Sequence, residues 1–292
     1  MKPSDFYPGK KVFITGGASG IGRALALEMA GHGASVVLAD VNAPLLEETA
    51  AEIASATGRR VFSIPLDVTD YEAFREAVDR AEESLGFLDV FVNNAGIGVA
   101  GELTAIDPAD IRRITGVNWL GVVYGCRIAC ERFAARGCGH VVNVASVAGL
   151  QGFPKMSLYC GTKAGVVGFS QALRFEMERK GVKVSLALPS TTDTPMILDE
   201  LASGKADAPG ILLAIPMCRA CDVAVAVAEG VAQGRFYIFP TMTDRMTLTM
   251  RSWLPGAFNA FIRAVGFREF SGRKKKIREK YNLAGPGPGG EA

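Results

Sequence analysis

The sequence predicts a doubly wound α/β fold, one parallel sheet covered by helices on both faces. Three observations point to it. Short apolar runs rich in Val, Ile and Phe alternate with longer amphipathic stretches from residue 10 to residue 190. The apolar runs are unbroken, the pattern of strands buried on both faces. Small and polar clusters follow the strand runs, at the carboxyl ends where such sheets bind ligands.

The elements follow in order. KKVFIT (10–15) is a short β-rich run, and GGASGIG then opens a helix, RALALEMAGHG, with an apolar stripe. ASVVLAD (34–40) is a second strand, followed by helix PLLEETAAEIASATG. Next come strand RRVFSIPLDV, helix YEAFREAVDRAEESLG and strand FLDVFVNNAG. One long helix is predicted across IRRITGVNWLGVVYGCRIACERFAAR, then strand GHVVNVAS, a helix containing YCGTK, and strand GVKVSLALPS. Each strand–helix–strand link is right-handed, which places helices on both faces. No internal repeat or linker interrupts residues 1–245, so one domain is expected, with a helical and basic extension over 246–292.

Composition narrows the function. The 292 residues are 49% hydrophobic with a formal net charge of +2, so no global field points to nucleic acid. Residues 1–10 lack an apolar core, so no cleaved leader is expected. The apolar runs fall short of the ~18 residues of a spanning helix. Six cysteines without framework spacing suit a reducing cytoplasm, and the single CxxC, Cys218 and Cys221, makes a poor metal site. The two histidines, His32 and His140, are read as structural. Ser-His chemistry and His-rich metal sites are therefore poorly supplied.

TGGASGIG places Thr15, Gly16, Gly20 and Gly22 between the first strand and the first helix. Glycines there let backbone approach a pyrophosphate, and the helix N-terminus offers free N–H groups. Asp40 ends the second strand. Its carboxylate could accept hydrogen bonds from a ribose diol and would repel a 2′-phosphate; it could instead cap the next helix. Ser19, Val41 and Asn42 add no positive charge, so NAD is favoured over NADP. Asp67, ending the third strand, could hold an adenine amino group.

Taken with NNAG (93–96), Asn118 in VNWLG, Ser146 in VNVAS and YCGTK, these motifs make residues ~10–240 closely similar to the short-chain dehydrogenase/reductase family. The resemblance implies a Rossmann-type fold and a nicotinamide cofactor. It implies contacts from Gly16, Ser19, Gly20, Ile21, Gly22, Asp40, Asp67 and Val68. Further contacts would come from Asn94, Ala95, Gly96, Tyr159, Lys163, Pro189 and Thr194. The implied catalytic set is Asn118, Ser146, Tyr159 and Lys163. The residues themselves fit that chemistry. A phenol with a pKa near 10 is a poor base at neutral pH. An ammonium one helical turn away, with a cationic ring nearby, would lower it. Tyr159 could then exchange a proton with an alcohol or ketone, Ser146 could bond the same oxygen, and Asn118 could hold a water beside Lys163. Where the family often has Pro-Gly, this chain has Pro189-Ser190, which puts the contacts around Ser190 and Thr191 in doubt. Cys160 is expected to point away from the site.

A substrate lid is expected over 190–217. Met196, Ile197, Leu198, Leu201, Ile211, Leu212 and Leu213 offer no anchor for a charged group, so an apolar secondary alcohol or ketone is expected. Apolar residues at 254, 258, 261, 262 and 265 form a helical stripe, followed by the basic run 271–280 and by GPGPGG, which is expected to be disordered. The stripe reads either as a helix docked on the body or as one lying on an anionic membrane. With TDTP and QGRF, the tail also resembles the 3-ketosphinganine reductases, which generally use NADPH. A lipid ketone reductase is therefore an alternative. A non-catalytic nucleotide-binding scaffold is another, though it would have no need of the phenol. The resemblance further implies a homodimer or homotetramer through helices near 107–136 and 157–180.

Overall fold

The structure is a computed structural model that describes residues 1–202, 217–266, 276, 277 and 279–281. Seven strands form one sheet in the order β3-β2-β1-β4-β5-β6-β7, and every pairing is parallel. After a short helix α1 (Pro3–Phe6), the sheet is built from β1 (Lys11–Thr15), β2 (Ser35–Asp40), β3 (Val61–Pro65), β4 (Val90–Asn93), β5 (Gly139–Val144), β6 (Val182–Ala187) and β7 (Tyr237–Ile238). The order reverses at β1, whose Val12 pairs with Val36 on one side and Val90 on the other. The ligand crevice of a doubly wound sheet opens at such a reversal.

Apolar strands bury both faces. On one face Phe13, Phe74 and Phe91 stack, with Phe13 and Phe91 ring centroids 4.9 Å apart. The other face packs Val12, Ile14 and Val36 against α2 (Gly20–Gly31) and α3 (Ala43–Thr57). Polar caps set the helix starts. Asn42 accepts from the Leu45 N–H at the start of α3, and Asp70 from the Ala73 N–H at the start of α4 (Tyr71–Leu85). A buried chain, Asn93 Nδ2 to Asn143 Oδ1 and Asn143 Nδ2 to Ser170 Oγ, ties β4 and β5 to α7 (Ser157–Glu178). Both histidines are structural. His32 bonds Glu28 one turn earlier, and His140 shares a 2.7 Å hydrogen bond with Ser185. Burial drives the His140 pKa down to about 3, so the ring is neutral.

The single long helix expected over 111–136 is three pieces. α5 (Pro108–Thr115) runs through a π turn (Gly116–Leu120) into α6 (Gly121–Arg136). The turn carries Asn118, and such bulges re-aim side chains at functional sites.

β6 leads into α8 (Pro195–Ala202), and α9 (Ala220–Ala232) follows the undescribed stretch. α9 packs on α2, and its Ala228 carbonyl accepts from the buried Tyr7 hydroxyl. After β7 come α10 (Met242–Trp253) and α11 (Pro255–Gly266). α11 docks Phe258 and Ile262 against Ala148, Met156 and Cys160. The stripe therefore splits, because Leu254 and Phe261 stay exposed. Tyr281 reaches back and donates to Asp193 at 3.2 Å. Ile211, Leu212, Leu213, most of the basic run and GPGPGG lie outside the described residues.

Candidate active site

One cleft of about 550 Å³ is lined by both groups of residues that the sequence singled out. Gly16, Gly20, Asp40 and Asp67 line it, and so do Ser146, Tyr159 and Lys163.

The nucleotide half is shaped by absent side chains. Gly16 sits at φ +66, and a Cβ there would come within 2.8 Å of the Ala95 Cα. A Cβ on Gly22 would lie 2.0 Å from the Gly16 carbonyl oxygen. Gly20, at φ +54, faces Thr194, whose Cγ2 would be 3.1 Å from its Cβ. Ser19 precedes α2 without a side-chain cap, so the first-turn N–H groups keep their capacity to donate. Asn94 locks the loop from below, giving its Nδ2 protons to the Thr15 and Gly16 carbonyls. The Thr15 hydroxyl in turn accepts from the Asn94 and Ala95 N–H groups.

Asp40 is fixed in place. Its Oδ2 accepts from the Ala18 N–H at 3.1 Å and its Oδ1 from the Asn42 N–H at 3.0 Å. A carboxylate held by two backbone N–H groups at the end of β2 suits a ribose diol. The glycine cradle and this oriented acid fit a dinucleotide. Asp67 folds Oδ1 onto the Thr69 N–H and hydroxyl, and Val68 lines the cleft beside it.

The catalytic half centres on α7. Lys163 is only 4% exposed, and its Nζ donates to the Val144 carbonyl at 3.0 Å. A Cβ on Gly96 would meet Asn118 Oδ1 at 3.4 Å and Lys163 Nζ at 3.5 Å, so the three converge. The Lys163 Nζ lies 5.8 Å from the centre of the Tyr159 ring. Ser146 caps a short 3-10 turn, accepting from the Ala148 N–H and donating to the Pro189 carbonyl. Burial pushes the Tyr159 hydroxyl up to about 12, with a hydrogen bond to Ser146 pulling it back. Burial alone pushes Lys163 down to about 8. The direction at Tyr159 differs from the sequence expectation. Desolvation of the buried phenol is the largest influence on its pKa, and it raises it.

Asn118 is anchored through both ends of its amide. Its Oδ1 accepts from the Ile97 N–H at 2.8 Å and its Nδ2 donates to the Ile97 carbonyl at 2.9 Å. The side chain therefore braces the loop after β4, which positions Gly96 beside Lys163. Cys160 turns away from the cleft and packs beneath α11. Ser190 adopts no positive φ, so serine in place of glycine is unstrained here. Thr194 accepts from the Ile197 and Leu198 N–H groups and starts α8.

Sequence reasoning missed several contributors. Phe153 and Met156 line the cleft in the loop before α7, and Arg113, gripped by Asp110, lines it from α5. The 3.6-residue stripe marked Phe258 and Ile262 as one face but did not say that the face backs onto Tyr159 and Met156.

Residues 10–203 match the sequence profile described as short chain dehydrogenase. The protein named "Probable oxidoreductase EphD" from Mycobacterium tuberculosis is 39% identical over 197 residues, 67% of this chain and 33% of that protein. The chain thus spans about a third of the length of that relative. L-2,3-butanediol dehydrogenase of Corynebacterium glutamicum is 39% identical over 191 residues, 64% of this chain and 73% of that one. The 3-ketodihydrosphingosine reductase of Bos taurus is 31% identical over 233 residues, 78% of this chain and 70% of that one. A crystal structure of a short-chain dehydrogenase/reductase from Burkholderia phymatum in complex with NAD superposes with a TM-score of 0.77 at 30% identity, covering 85% of this chain and 94% of that one.

Proposed function

The chain belongs to the short chain dehydrogenase family, and from that premise we propose that it interconverts an apolar secondary alcohol and its ketone, with NAD as the preferred cofactor. The observation that carries this reading is a single cleft lined by the fixed Asp40 carboxylate and by the Ser146–Tyr159–Lys163 cluster.

Gly16, Gly20 and Gly22 would admit the pyrophosphate, and Asp40 would accept from the adenosine ribose. When bound, the nicotinamide supplies the hydride acceptor or donor, and its ring charge favours a phenolate nearby. Tyr159 holds the proton at its hydroxyl, taking it from an alcohol or giving it to a ketone. Ser146 presents a hydroxyl to the same substrate oxygen. Lys163, with its pKa lowered to about 8, can pass a proton near neutral pH as well as hold a charge beside the phenol. Phe153, Met156, Met196 and Ile197 give the substrate region an apolar lining. A preference for NAD favours the oxidative direction in a cell where NAD exceeds NADH.

The test is a titration of the purified chain with NAD and with NADP, repeated on Asp40→Ser. NAD should bind at least about tenfold more tightly, and the serine should erase most of that preference, since a charged hydrogen-bond acceptor contributes about 1.5–3 kcal/mol. Tighter NADP binding to the parent chain would overturn the NAD reading.

A second reading, a lipid ketone reductase, is favoured by one observation. α11 adds Phe258 and Ile262 to the apolar cluster that contains Met156, Tyr159 and Ile197. A non-catalytic nucleotide scaffold would require Tyr159→Phe to leave all turnover unchanged. We also expect a homodimer or homotetramer through α5, α6 and α7, and on α7 Phe175 stands 61% exposed. Loss of the oligomer in Phe175→Glu, read by sedimentation, is the measurement that checks it.

A further inference from the structure

We propose that α10 and α11 form a docking surface for an anionic lipid bilayer, with α11 packed against the apolar cluster that contains Tyr159. Of the fifteen large hydrophobic residues exposed among the described residues, five fall between 242 and 261. Met242, Met246 and Trp253 lie on one face of α10, spaced by four and by seven residues, and Trp253 is 81% exposed. Leu254 and Phe261 extend the patch onto α11. The orientation of α11 is set by its other face, where Phe258 and Ile262 are already buried against the body. The exposed apolar residues are therefore not an unsatisfied core face awaiting collapse. They are presented outward by a helix anchored from behind.

Charge supports a lipid occupant. Residues 1–244 carry 22 Lys and Arg against 27 Asp and Glu, a net −5. Residues 245–292 carry 10 against 3, a net +7. The near-neutral total conceals this segregation. α11 has no acidic residue, and the only one on α10, Asp244, is buried and bonded to the Thr241 N–H. Arg245 and Arg263 stand exposed on the same two helices, and an exposed aromatic and aliphatic patch that shares its helices with basic residues is the pattern of an interfacial helix on anionic lipid. A two-fold dimer through this patch is a poor alternative, because joining two such patches would juxtapose two segments of like charge. No helix among the described residues is long and apolar enough to cross a membrane, so contact would lie in the plane of the interface. The buried face of α11 touches the cluster containing Tyr159, so a membrane-partitioned alcohol or ketone would enter close to the chemistry.

The experiment is co-sedimentation of the full chain with phosphatidylcholine vesicles, with and without about 30% phosphatidylserine. Binding should require the anionic lipid and fall on raising salt from about 0.05 M to about 0.5 M, since the Debye length shortens severalfold. The triple variant Trp253→Ser, Leu254→Ser, Phe261→Ser should lose binding by about tenfold or more, while its affinity for NAD stays unchanged. Quenching of Trp253 by brominated lipid in a Trp119→Phe background reports insertion without relying on the triple variant. Absence of binding to anionic vesicles would overturn the proposal. So would binding that the triple variant does not weaken, or a dimer in the parent chain that the triple variant dissolves. None of these readouts depends on the identity of the substrate.

Discussion

Lys163→Met should make the cofactor-free protein more stable while abolishing its activity. Burial lowers the Lys163 pKa from 10.5 to about 8. Below about pH 8 the lysine is charged in both the folded and the unfolded chain, and the folded state carries the full cost of the buried ammonium. As pH rises from about 8 to 10.5, the unfolded chain retains a proton that the folded chain has released, so stability rises with pH. Above that window the cost has gone. The interval between the two pKa values corresponds to about 3 kcal/mol. Methionine removes the charge and keeps an unbranched chain of similar length. It also forfeits the hydrogen bond to the Val144 carbonyl, worth about 1.5–3 kcal/mol with a charged donor. The net gain at pH 7 is about 0–2 kcal/mol, at most about 6 °C in melting temperature. Thermal melts of both proteins at pH 7, 8.5 and 10 would measure it, and the advantage of the variant should shrink as pH rises. A variant less stable than the parent at pH 7, or a difference that ignores pH, would refute the reasoning.

Three further outcomes follow from the same geometry. Tyr159→Phe should lower turnover by about 10²–10⁴-fold and leave NAD affinity within about twofold, as read by steady-state kinetics and calorimetry. Burial raises the Tyr159 hydroxyl, so alcohol oxidation, which needs it deprotonated, should accelerate from pH 7 to 10 while ketone reduction does not. Gly22→Ala should destabilise the chain by about 1–3 kcal/mol, because the new methyl would sit 2.0 Å from the Gly16 oxygen and 2.7 Å from Asn94 Nδ2. A denaturant melt checks that value, and NAD titration should show weakened binding. Phe258→Ala should cost about 3 kcal/mol by emptying the cluster under α11. If that cluster shapes the substrate wall, the variant should also raise KM for bulky apolar alcohols more than for small ones.

The sequence carried the sheet because unbroken runs such as VFIT and SVVLA leave few alternatives to a buried parallel strand. It carried the motif positions because they fall at strand ends, where glycine, Asn and Ser serve backbone geometry rather than packing. Two kinds of information were not local. The π turn at Gly116–Leu120 leaves the hydrophobic period nearly intact, so its sequence reads as plain helix. The direction of the Tyr159 shift depends on how much water the folded cleft excludes, which no four-residue spacing reports. The stripe at 254–265 marked a helix correctly, but which of its apolar residues would be covered depended on the shape of the surface it meets.

That most of the site should consist of hydrogen-bond donors follows from the sheet itself. At the carboxyl ends of parallel strands the last carbonyls leave the ladder and need partners. Here Asn94 answers the Thr15 and Gly16 carbonyls, Asn118 that of Ile97, Lys163 that of Val144, and Ser146 that of Pro189. Each of these side chains satisfies a backbone oxygen and is thereby pinned at the cleft. Lys163 and Ser146 keep further polar capacity, an ammonium with two more protons and an oxygen with lone pairs, aimed at a ligand. Asp40 is the exception in chemistry but not in logic. It accepts from loop N–H groups and offers its remaining lone pairs to hydroxyls. Replacing any one of these residues by an apolar isostere therefore orphans a backbone group and unsettles the site together. Stability and cofactor binding should fall in step at Asn94 and Asn118. At Lys163 they should move in opposite directions, because only there does the polar partner bring a buried charge.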